Sequence, residues 1–184
     1  MNSRPLPSRP GPAPDRLPEM LRVDHAGELA AVHIYRGHRA VFEAVGETAA
    51  AEKMRALESE EAAHLARFEA LLTEHRVRPT LLAPIWRAAS FGLGVGAALL
   101  GEKAVHACTE AVETVIGAHY ERQAAELAGR RDELAAELST FRDDELAHRD
   151  EAVRDGAREA PLYGLMSRIV RGGCRAAIKI SERI

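Results

Sequence analysis

The sequence predicts an all-α chain that folds as a helical bundle. Apolar residues make up 46 % of its 184 residues, and the good helix formers Ala, Leu, Glu and Arg are abundant. Apolar side chains recur at steps of three and four along several long stretches, which is the period of an amphipathic helix. Runs of β-branched residues are few, so no sheet is indicated.

The chain is predicted to form one domain over residues 16–184 behind a disordered tail. Residues 1–15 are rich in Pro and Arg, a composition that rarely folds by itself. The remaining length is sufficient for one sizeable core. A net charge of −3 and the lack of a basic, aromatic-rich surface speak against a nucleic-acid partner. Cys108 and Cys174 follow no metal or redox spacing and are expected to be reduced thiols.

Five amphipathic helices and one apolar segment follow from this pattern. The helices are expected over residues 17–43, 49–75, 102–127, 130–155 and 162–184, and the apolar segment covers 81–101. Pro18 falls in the first turn of the first helix, where proline is tolerated. Thr48 is the expected N-cap of the second helix.

Two of these helices carry the motif Glu-x-x-His on their apolar side. The apolar stripe of the fourth amphipathic helix continues onto Glu145 and His148. The stripe of the second helix is interrupted in the same way by Glu61 and His64. Positions i and i+3 of a helix share one side, so each pair can reach a single ion. A buried carboxylate without compensation is costly, so positive charge is expected opposite these residues.

Each of the other two long helices offers one inward glutamate. Glu28 lies on the apolar side of the first helix, with Tyr35 two turns later. In the third amphipathic helix Glu110 and Glu113 compete for this role. At about 100° per residue, Glu113 falls inside the apolar arc and Glu110 falls at its rim, so Glu113 is the predicted inward residue.

The two single glutamates and the two Glu-x-x-His motifs are spaced as an internal repeat. Glu28 precedes Glu61 by 33 residues, and Glu113 precedes Glu145 by 32. The two Glu-x-x-His motifs are 84 residues apart and the two single glutamates are 85 apart. The sequence therefore predicts two helical hairpins, each of which offers Glu and then Glu-x-x-His.

Four carboxylates and two imidazoles from four helices are the ligand set of ferritin-like carboxylate-bridged dimetal bundles. Four negative charges balance two divalent cations, which resolves the cost of burial. Six ligands leave coordination positions open on two metals, so the site can bind dioxygen. Mixed carboxylate and imidazole donors suit Fe or Mn, and iron is our choice.

The apolar segment and the last helix each allow two interpretations. Residues 88–101 contain no charged side chain, but Pro84 and Arg87 leave too short a run for a spanning helix. The segment is therefore either a buried part of the bundle or a surface that dips into a membrane. The helix over 162–184 is basic and amphipathic, which is typical of a solvated cap or of a helix lying on anionic lipid.

From about residue 21 onward the chain resembles the 3-demethoxyubiquinol 3-hydroxylases, the di-iron monooxygenases that act late in ubiquinone biosynthesis. The resemblance rests on four motifs in the right order: RVDHAGE (22–28), RVRPT (76–80), FRDDELAH (141–148) and GCRAAIKISERI (173–184). Asp144 departs from the family, where a second Glu is commoner, but its position is not that of a ligand.

The resemblance implies a ferritin-like fold with two iron ions per chain, bound by Glu28, Glu61, His64, Glu113, Glu145 and His148. It implies that Glu61 and Glu145 bridge the irons and that Glu28 and Glu113 are terminal ligands. The implied reaction inserts one oxygen atom of O2 into the ring of a demethoxy-polyprenyl-benzoquinol, with NADH or another donor supplying electrons. The family also suggests membrane contact through residues 81–100 and 162–184, a peripheral location on the cytoplasmic face of the bacterial inner membrane, and an accessory lipid-binding protein as partner.

Further residues are candidates for supporting roles. Tyr120 lies two turns after Glu113, next to His119. This spacing suggests that the pair relays electrons or protons to the metals, while the plainer interpretation of Tyr120 is packing. Asp24 and His25 are candidates for hydrogen bonds to the ligating imidazoles. Asp24 is preferred because it lies one turn before Glu28.

Two other functions use the same residues. A ferritin- or rubrerythrin-like bundle that handles iron or peroxide would share the ligands, but it would not need the apolar segment or the basic last helix. A non-enzymatic, metal-stabilised module that binds lipid or a partner protein is the second alternative. The hydroxylase accounts for the most features and is the predicted function.

Overall fold

The computed structural model describes residues 15–184, which form six α-helices and one short 3₁₀ turn. The α-helices are α1 Leu17–Val45, α2 Thr48–Glu74, α3 Ala83–Leu99, α4 Glu102–Leu127, α5 Asp132–Arg154 and α6 Tyr163–Ser181, and the 3₁₀ turn covers Ala157–Glu159. No strand occurs among the described residues. The predicted all-α fold is therefore confirmed. The predicted tail lies outside the described residues except for Asp15, which accepts a hydrogen bond from Arg131 at 2.8 Å.

The helices begin and end close to the predicted positions. Thr48 is not the N-cap of α2, because it is already the first helical residue and its hydroxyl donates to the Gly46 carbonyl at 3.4 Å. Gly46 ends α1 with a φ of 83°, a left-handed conformation that glycine adopts without strain.

Helices α1, α2, α4 and α5 form the bundle. Helix α1 packs along α2, and α4 packs along α5. One large apolar cluster joins all four helices and includes Leu21, Phe68, Tyr120 and Leu138. Ion pairs such as Arg67–Glu137 connect α2 to α5 at the surface. Two antiparallel hairpins thus meet face to face, as the sequence repeat predicts.

Helices α3 and α6 lie outside the four-helix core. Helix α3 packs closely on α1: a Cβ added at Gly94 would collide with the carbonyl of Ile34, and one added at Gly37 would collide with the carbonyl of Phe91. Helix α6 packs mainly on α4 and also contacts α1. None of the helices formed by residues 15–184 is long and apolar enough to cross a membrane.

Segment 81–101 is buried on one side only. The residues of α3 that are buried are small: Ser90, Gly94, Ala97 and Ala98. Large apolar side chains around them are exposed, among them Leu81, Ile85, Leu99 and Leu100. The bundle therefore covers the small face of this segment, which fits against α1, and leaves its large apolar side chains outside.

Candidate metal centre

The six predicted ligands converge in the middle of the bundle. Helix α1 supplies Glu28, α2 supplies Glu61 and His64, α4 supplies Glu113, and α5 supplies Glu145 and His148. All six are at most 9 % exposed. The heptad-like apolar pattern of each helix explains this, since each ligand occupies a position that would otherwise hold an apolar core residue.

One half of the site is formed around His64. Its Nδ1 lies 3.8 Å from Glu28 Oε2, 3.7 Å from Glu61 Oε2 and 3.6 Å from Glu145 Oε1. One donor atom from each of these four residues lies within 4.8 Å of the other three. The separations are too long for hydrogen bonds and suit atoms that surround one cation.

The other half is formed around His148. Its Nδ1 lies 3.1 Å from Glu61 Oε1 and 3.7 Å from Glu145 Oε2. Glu113 on α4 is the remaining glutamate of the predicted set, and burial together with the charges of Glu145 and Glu61 raises the pKa of its carboxyl group well above the usual range. Glu61 and Glu145 thus face both histidines, one oxygen to each side, which is the position that bridging ligands require.

The donor atoms are better placed to bind metal ions than to hydrogen-bond one another. Among residues 15–184, Glu28 Oε2, both carboxylate oxygens of Glu61, Glu145 Oε2 and the Nδ1 atoms of both histidines are buried without a hydrogen-bond partner. Buried polar groups are normally satisfied. Six such atoms aimed at one small volume, with carboxylate and imidazole chemistry, match a pair of divalent transition metals. The assignment as ligands stays a prediction.

Without metal, protons and imidazolium charge must balance the carboxylates. Burial, together with the charges of Glu145 and Glu61, raises the pKa of Glu28 well above its usual range. Burial alone would lower the pKa of His64, but Glu145 and Glu61 outweigh it and raise that pKa to about 10. Glu145 and Glu61 likewise overcome burial and raise the pKa of His148 to about 12. Burial opposes ionisation of Glu61, but His148 and His64 lower its pKa to about 2.

Two buried tyrosines cross the bundle to hold the terminal glutamates. The hydroxyl of Tyr35 on α1 donates to Glu113 Oε1 on α4 at 2.9 Å. The hydroxyl of Tyr120 on α4 donates to Glu28 Oε1 on α1. Each tyrosine lies seven residues after its own helix's glutamate. Sequence reasoning named Tyr120 but missed the role of Tyr35, although the same spacing marks both.

The imidazoles are oriented from the opposite hairpin. His148 Nε2 lies 2.8 Å from Glu60 Oε2, and His64 Nε2 lies 3.4 Å from Asp144 Oδ2. Glu60 and Asp144 directly precede Glu61 and Glu145, the two glutamates predicted to bridge the metals. A carboxylate on the outer nitrogen leaves Nδ1 as the atom that faces the metal position. The expectation that Asp24 would do this is therefore wrong.

Asp24 instead belongs to a separate buried cluster on α1 and α4. Gln123 donates from Nε2 to Asp24 Oδ1 at 2.9 Å, and the same nitrogen lies 2.9 Å from His119 Nε2. His119 Nε2 also lies 3.2 Å from Asp24 Oδ1. The side chain of His25 is buried, and its Nδ1 has no partner within the described chain, so it does not support the imidazoles either.

The competing residue Glu110 has another partner. It is buried, and its Oε1 accepts a hydrogen bond from Arg171 on α6 at 2.8 Å. Glu110 therefore fastens α6 to α4, while Glu113 faces the centre. This arrangement agrees with the choice of Glu113 as the inward residue.

An apolar cavity of about 290 Å³ lies beside the centre, between α1, α3, α4 and α6. Its wall is formed by side chains such as Ile34, Leu93, Ile116, Val170 and Ile178. Asp24, His119 and Tyr120 are among the polar side chains that line it. Since Tyr120 holds Glu28, the cavity ends next to a predicted metal ligand.

Comparison with known proteins gives consistent matches. The family model described as "Ubiquinone biosynthesis protein COQ7" matches residues 15–181. A relative from Rhodospirillum rubrum named 3-demethoxyubiquinol 3-hydroxylase is 44 % identical over 179 residues, which cover 97 % of this chain and 83 % of the relative.

Two eukaryotic relatives are similar over most of the chain. A rat protein named NADPH-dependent 3-demethoxyubiquinone 3-hydroxylase, mitochondrial, is 43 % identical over 169 residues, covering 90 % of this chain and 76 % of the relative. A Saccharomyces cerevisiae protein named 5-demethoxyubiquinone hydroxylase, mitochondrial, is 39 % identical over 183 residues, covering 91 % and 78 % respectively.

The electrostatics of the centre predict the pH dependence of stability. The native-state pKa values of about 10 for His64 and about 12 for His148 exceed the ordinary 6.5. The native metal-free protein therefore binds more protons than the unfolded chain above pH 6.5. Its free energy of unfolding should fall from pH 6.5 towards pH 10, by up to about 1.4 kcal/mol per pH unit for each extra proton. The raised pKa values of Glu28 and Glu113 act in the same direction.

Urea unfolding followed by circular dichroism at several pH values measures this slope. As a control, the same series is recorded with Zn²⁺ bound. Because metal competes with protons for the ligands, the stabilisation by metal should grow with pH. A flat or rising stability of the metal-free protein over this range would contradict the described charge balance.

Proposed function

Since the chain belongs to the ubiquinone biosynthesis protein COQ7 family, we propose that it is a di-iron monooxygenase that hydroxylates the ring of a demethoxy-polyprenyl-benzoquinol. The names of its relatives specify hydroxylation of demethoxyubiquinol or demethoxyubiquinone. The observation that carries the proposal is the set of unpartnered carboxylate and imidazole atoms next to an apolar cavity. A metal centre and a site for an apolar substrate thus adjoin each other.

The residues present fit two iron ions. Glu28, Glu61, His64 and Glu145 would hold one ion, and Glu61, Glu113, Glu145 and His148 would hold the other. Bound iron supplies the reduction of O2 that the reaction needs. The chain itself holds the ligands in place, through Tyr35 and Tyr120 at the terminal carboxylates and through Glu60 and Asp144 at the imidazoles.

The cavity is the proposed substrate site. Its polar end offers Asp24, His119 and Tyr120, which are able to hydrogen-bond the hydroxyl groups of a quinol ring. Its apolar wall between α3 and α6 suits the polyprenyl tail. A tail that leaves between these helices emerges beside their exposed apolar side chains, such as Ile85 and Ile169.

The same face is the proposed membrane surface. On α3 and α6 the exposed apolar residues include Ile85, Leu99, Leu165 and Ile169, and α6 and its C-terminal end carry Arg168, Arg175, Lys179 and Arg183. Exposed apolar side chains beside cations are typical of a helix that lies on anionic lipid. We place the protein on the cytoplasmic face of the bacterial inner membrane, and an accessory lipid-binding protein would deliver substrate at this face.

His119 and Tyr120 are proposed to link the centre to the reductant. His119 lines both the apolar cavity and a polar cleft that contains Arg122 and Lys179. Its neighbour Tyr120 reaches Glu28. Burial and the charge of Glu28 raise the pKa of Tyr120 well above the usual range, so its phenol keeps its proton. The rat relative is named NADPH-dependent, so NADPH and NADH are both candidate donors.

The cavity also favours the hydroxylase over the two alternatives. A bundle that only stores iron or removes peroxide needs no apolar cavity open between α3 and α6. A metal-stabilised module without catalysis needs no buried polar cluster at the end of that cavity. The hydroxylase uses both features.

The central test combines metal content with turnover. The purified protein should bind about two irons per chain and convert a short-chain demethoxyquinol to the hydroxylated product in the presence of O2 and NADPH or NADH. Glu145→Ala should abolish turnover and lower iron content, since one bridging carboxylate is lost. Product is measured by mass spectrometry and iron by elemental analysis.

Glu151→Ala serves as the matched control, because Glu151 is on the same helix but pairs with Lys53 at the surface. It should keep both iron and turnover. Two irons with rapid peroxide removal and no quinol conversion would support the iron- or peroxide-handling bundle instead. Loss of stability in Glu145→Ala without any turnover in the wild type would support the non-enzymatic module.

A second prediction concerns Tyr120. Tyr120→Phe keeps the ring but removes the hydroxyl that donates to Glu28. We expect turnover with the pyridine nucleotide to fall at least tenfold, with iron content preserved. Turnover is measured as nucleotide oxidation coupled to product formation. Unchanged turnover would mean that Tyr120 contributes packing and no relay.

A third prediction concerns the membrane face. Ile169, on the exposed side of α6, is 64 % exposed. Ile169→Glu should strongly reduce sedimentation with vesicles that contain anionic phospholipid, because it places a charge at the lipid surface. Glu52→Gln, at an exposed site on α2, is the control and should bind as the wild type does. Equal binding of Ile169→Glu would contradict a membrane role for this face.

A further inference from the structure

Two side chains that line the apolar cavity keep a buried polar atom without a hydrogen-bond partner. They are Asp24 on α1 and Trp86 on α3. Within residues 15–184, Asp24 Oδ2 and Trp86 Nε1 are both buried and unpartnered. The first atom accepts hydrogen bonds and the second donates one. Since buried polar groups are normally satisfied, this donor and this acceptor in the wall of one cavity indicate a ligand that offers the missing partners.

Trp86 is the single tryptophan of the chain. A tryptophan at a membrane surface keeps its N–H in contact with water or headgroups, whereas Trp86 Nε1 is buried. Packing does not explain the indole either, because a phenylalanine would line the cavity without burying an N–H group. The indole N–H is therefore available to a molecule that occupies the cavity.

Asp24 is held with one carboxylate oxygen occupied and the other available. Gln123 donates to Asp24 Oδ1 at 2.9 Å, and His119 Nε2 lies 3.2 Å from the same oxygen. These two contacts fix the rotation of the carboxylate and leave Oδ2 as the oxygen that can accept from a ligand. Burial raises the pKa of Asp24, so a further donor on Oδ2 would stabilise its ionised form.

Two other polar side chains in the cavity wall are already engaged. The hydroxyl of Tyr120 donates to Glu28. His119 Nε2 faces Asp24 and Gln123, and His119 Nδ1 lies 3.5 Å from a guanidinium nitrogen of Arg122. A ligand therefore finds Asp24 Oδ2 and the Trp86 N–H more readily available than either of these groups.

We propose that Asp24 Oδ2 and the Trp86 N–H bind the ring of the substrate and select its reduced form. One hydroxyl of the quinol donates to Asp24 Oδ2, and another oxygen of the ring accepts from Trp86 Nε1. The corresponding quinone carries only acceptor oxygens, so it can satisfy Trp86 but leaves the carboxylate without a donor. A site built to hydrogen-bond a hydroxyl group discriminates strongly against the analogue that lacks its hydrogen.

This inference rests on the proposed function for the chemical class of the ring, and it names the residues that decide which redox state of the ring binds. The two contacts also fix the orientation of the ring, since they are made by different helices, α1 and α3. An oxidised pool of the same molecule would then not block the cavity.

The first measurement follows the indole of Trp86 directly. Because the chain has one tryptophan, ¹⁵N-resolved NMR shows a single indole N–H resonance. The protein is loaded with Zn²⁺, which exchanges no electrons with the ligand, and is titrated in the absence of oxygen with a short-chain demethoxyquinol. We expect the indole proton to move downfield, as it does when an N–H forms a hydrogen bond. An indole resonance that stays in place when calorimetry shows saturation would overturn the role of Trp86.

The second measurement compares the Kd of the quinol with that of the quinone. In Asp24→Asn the amide oxygen should keep the hydrogen bond from Gln123, so the NH2 group takes the place of Oδ2 and donates. We expect the preference for quinol over quinone to fall at least tenfold. Trp86→Phe should weaken both forms by a similar factor, because both offer an acceptor oxygen to the indole.

Asp150→Asn is the matched control, because Asp150 pairs with Arg149 at the surface of α5. It should leave both Kd values unchanged. An Asp24→Asn variant that folds and keeps the wild-type ratio of the two Kd values would overturn the selection by Asp24.

Failure of this inference and failure of the proposed function are distinguishable. A shifted indole resonance and an altered Kd ratio, in a protein that does not hydroxylate the quinol when loaded with iron, would keep the inference and overturn the function. Full turnover with an unmoved indole resonance and an unchanged ratio in Asp24→Asn would overturn the inference and keep the function.

Discussion

The structure depends on one electrostatic constraint: four glutamates lie at the centre of a helical bundle, out of reach of water. Uncompensated charges in such a place would destabilise the fold by several kcal/mol each. The metal-free chain offsets them with protons on Glu28 and Glu113, and with positive charge on His64 and His148. Two divalent cations, as proposed, would match both this charge and the unpartnered donor atoms.

The two-hairpin repeat explains how the site is held. Each hairpin supplies one terminal glutamate and one Glu-x-x-His, but each supporting contact crosses to the other hairpin. Tyr35 supports Glu113 and Tyr120 supports Glu28, while Glu60 meets His148. Neither hairpin can therefore form an ordered half-site alone, and the metal centre is coupled to the docking of the two halves.

The two-hairpin repeat is not exact, because Tyr120 and Tyr35 have different neighbours. Around Tyr120 lie the Asp24–Gln123 hydrogen bond, His119 and the apolar cavity. Beside Tyr35 the corresponding position holds His38, whose ring packs edge to face on the tyrosine. The apolar cavity therefore adjoins the Tyr120 side of the centre, which is the side proposed for substrate and reductant. Helix α6, fastened by Arg171 to Glu110, forms part of the cavity wall and leaves apolar residues such as Leu165 exposed.

The sequence by itself determined which side chains point inward. Helical periodicity was sufficient to select Glu28, Glu113 and both Glu-x-x-His motifs, because the direction of a side chain on a helix depends only on its position in the turn. It also placed most helix ends within a few residues, since Gly, Pro and the loss of the apolar stripe are local signals. The family resemblance added the predicted reaction, hydroxylation of a quinol ring with O2, which helical periodicity does not indicate.

Only the tertiary structure decided which inward groups meet. Asp24 bonds to Gln123 and not to an imidazole, Glu110 pairs with Arg171, and Tyr35 reaches Glu113. Segment 81–101 is covered on its small face alone. These outcomes depend on the rotation of each helix about its axis and on its offset along its neighbour. Both are set by the sum of many side-chain contacts between residues far apart in the chain, which no local pattern encodes.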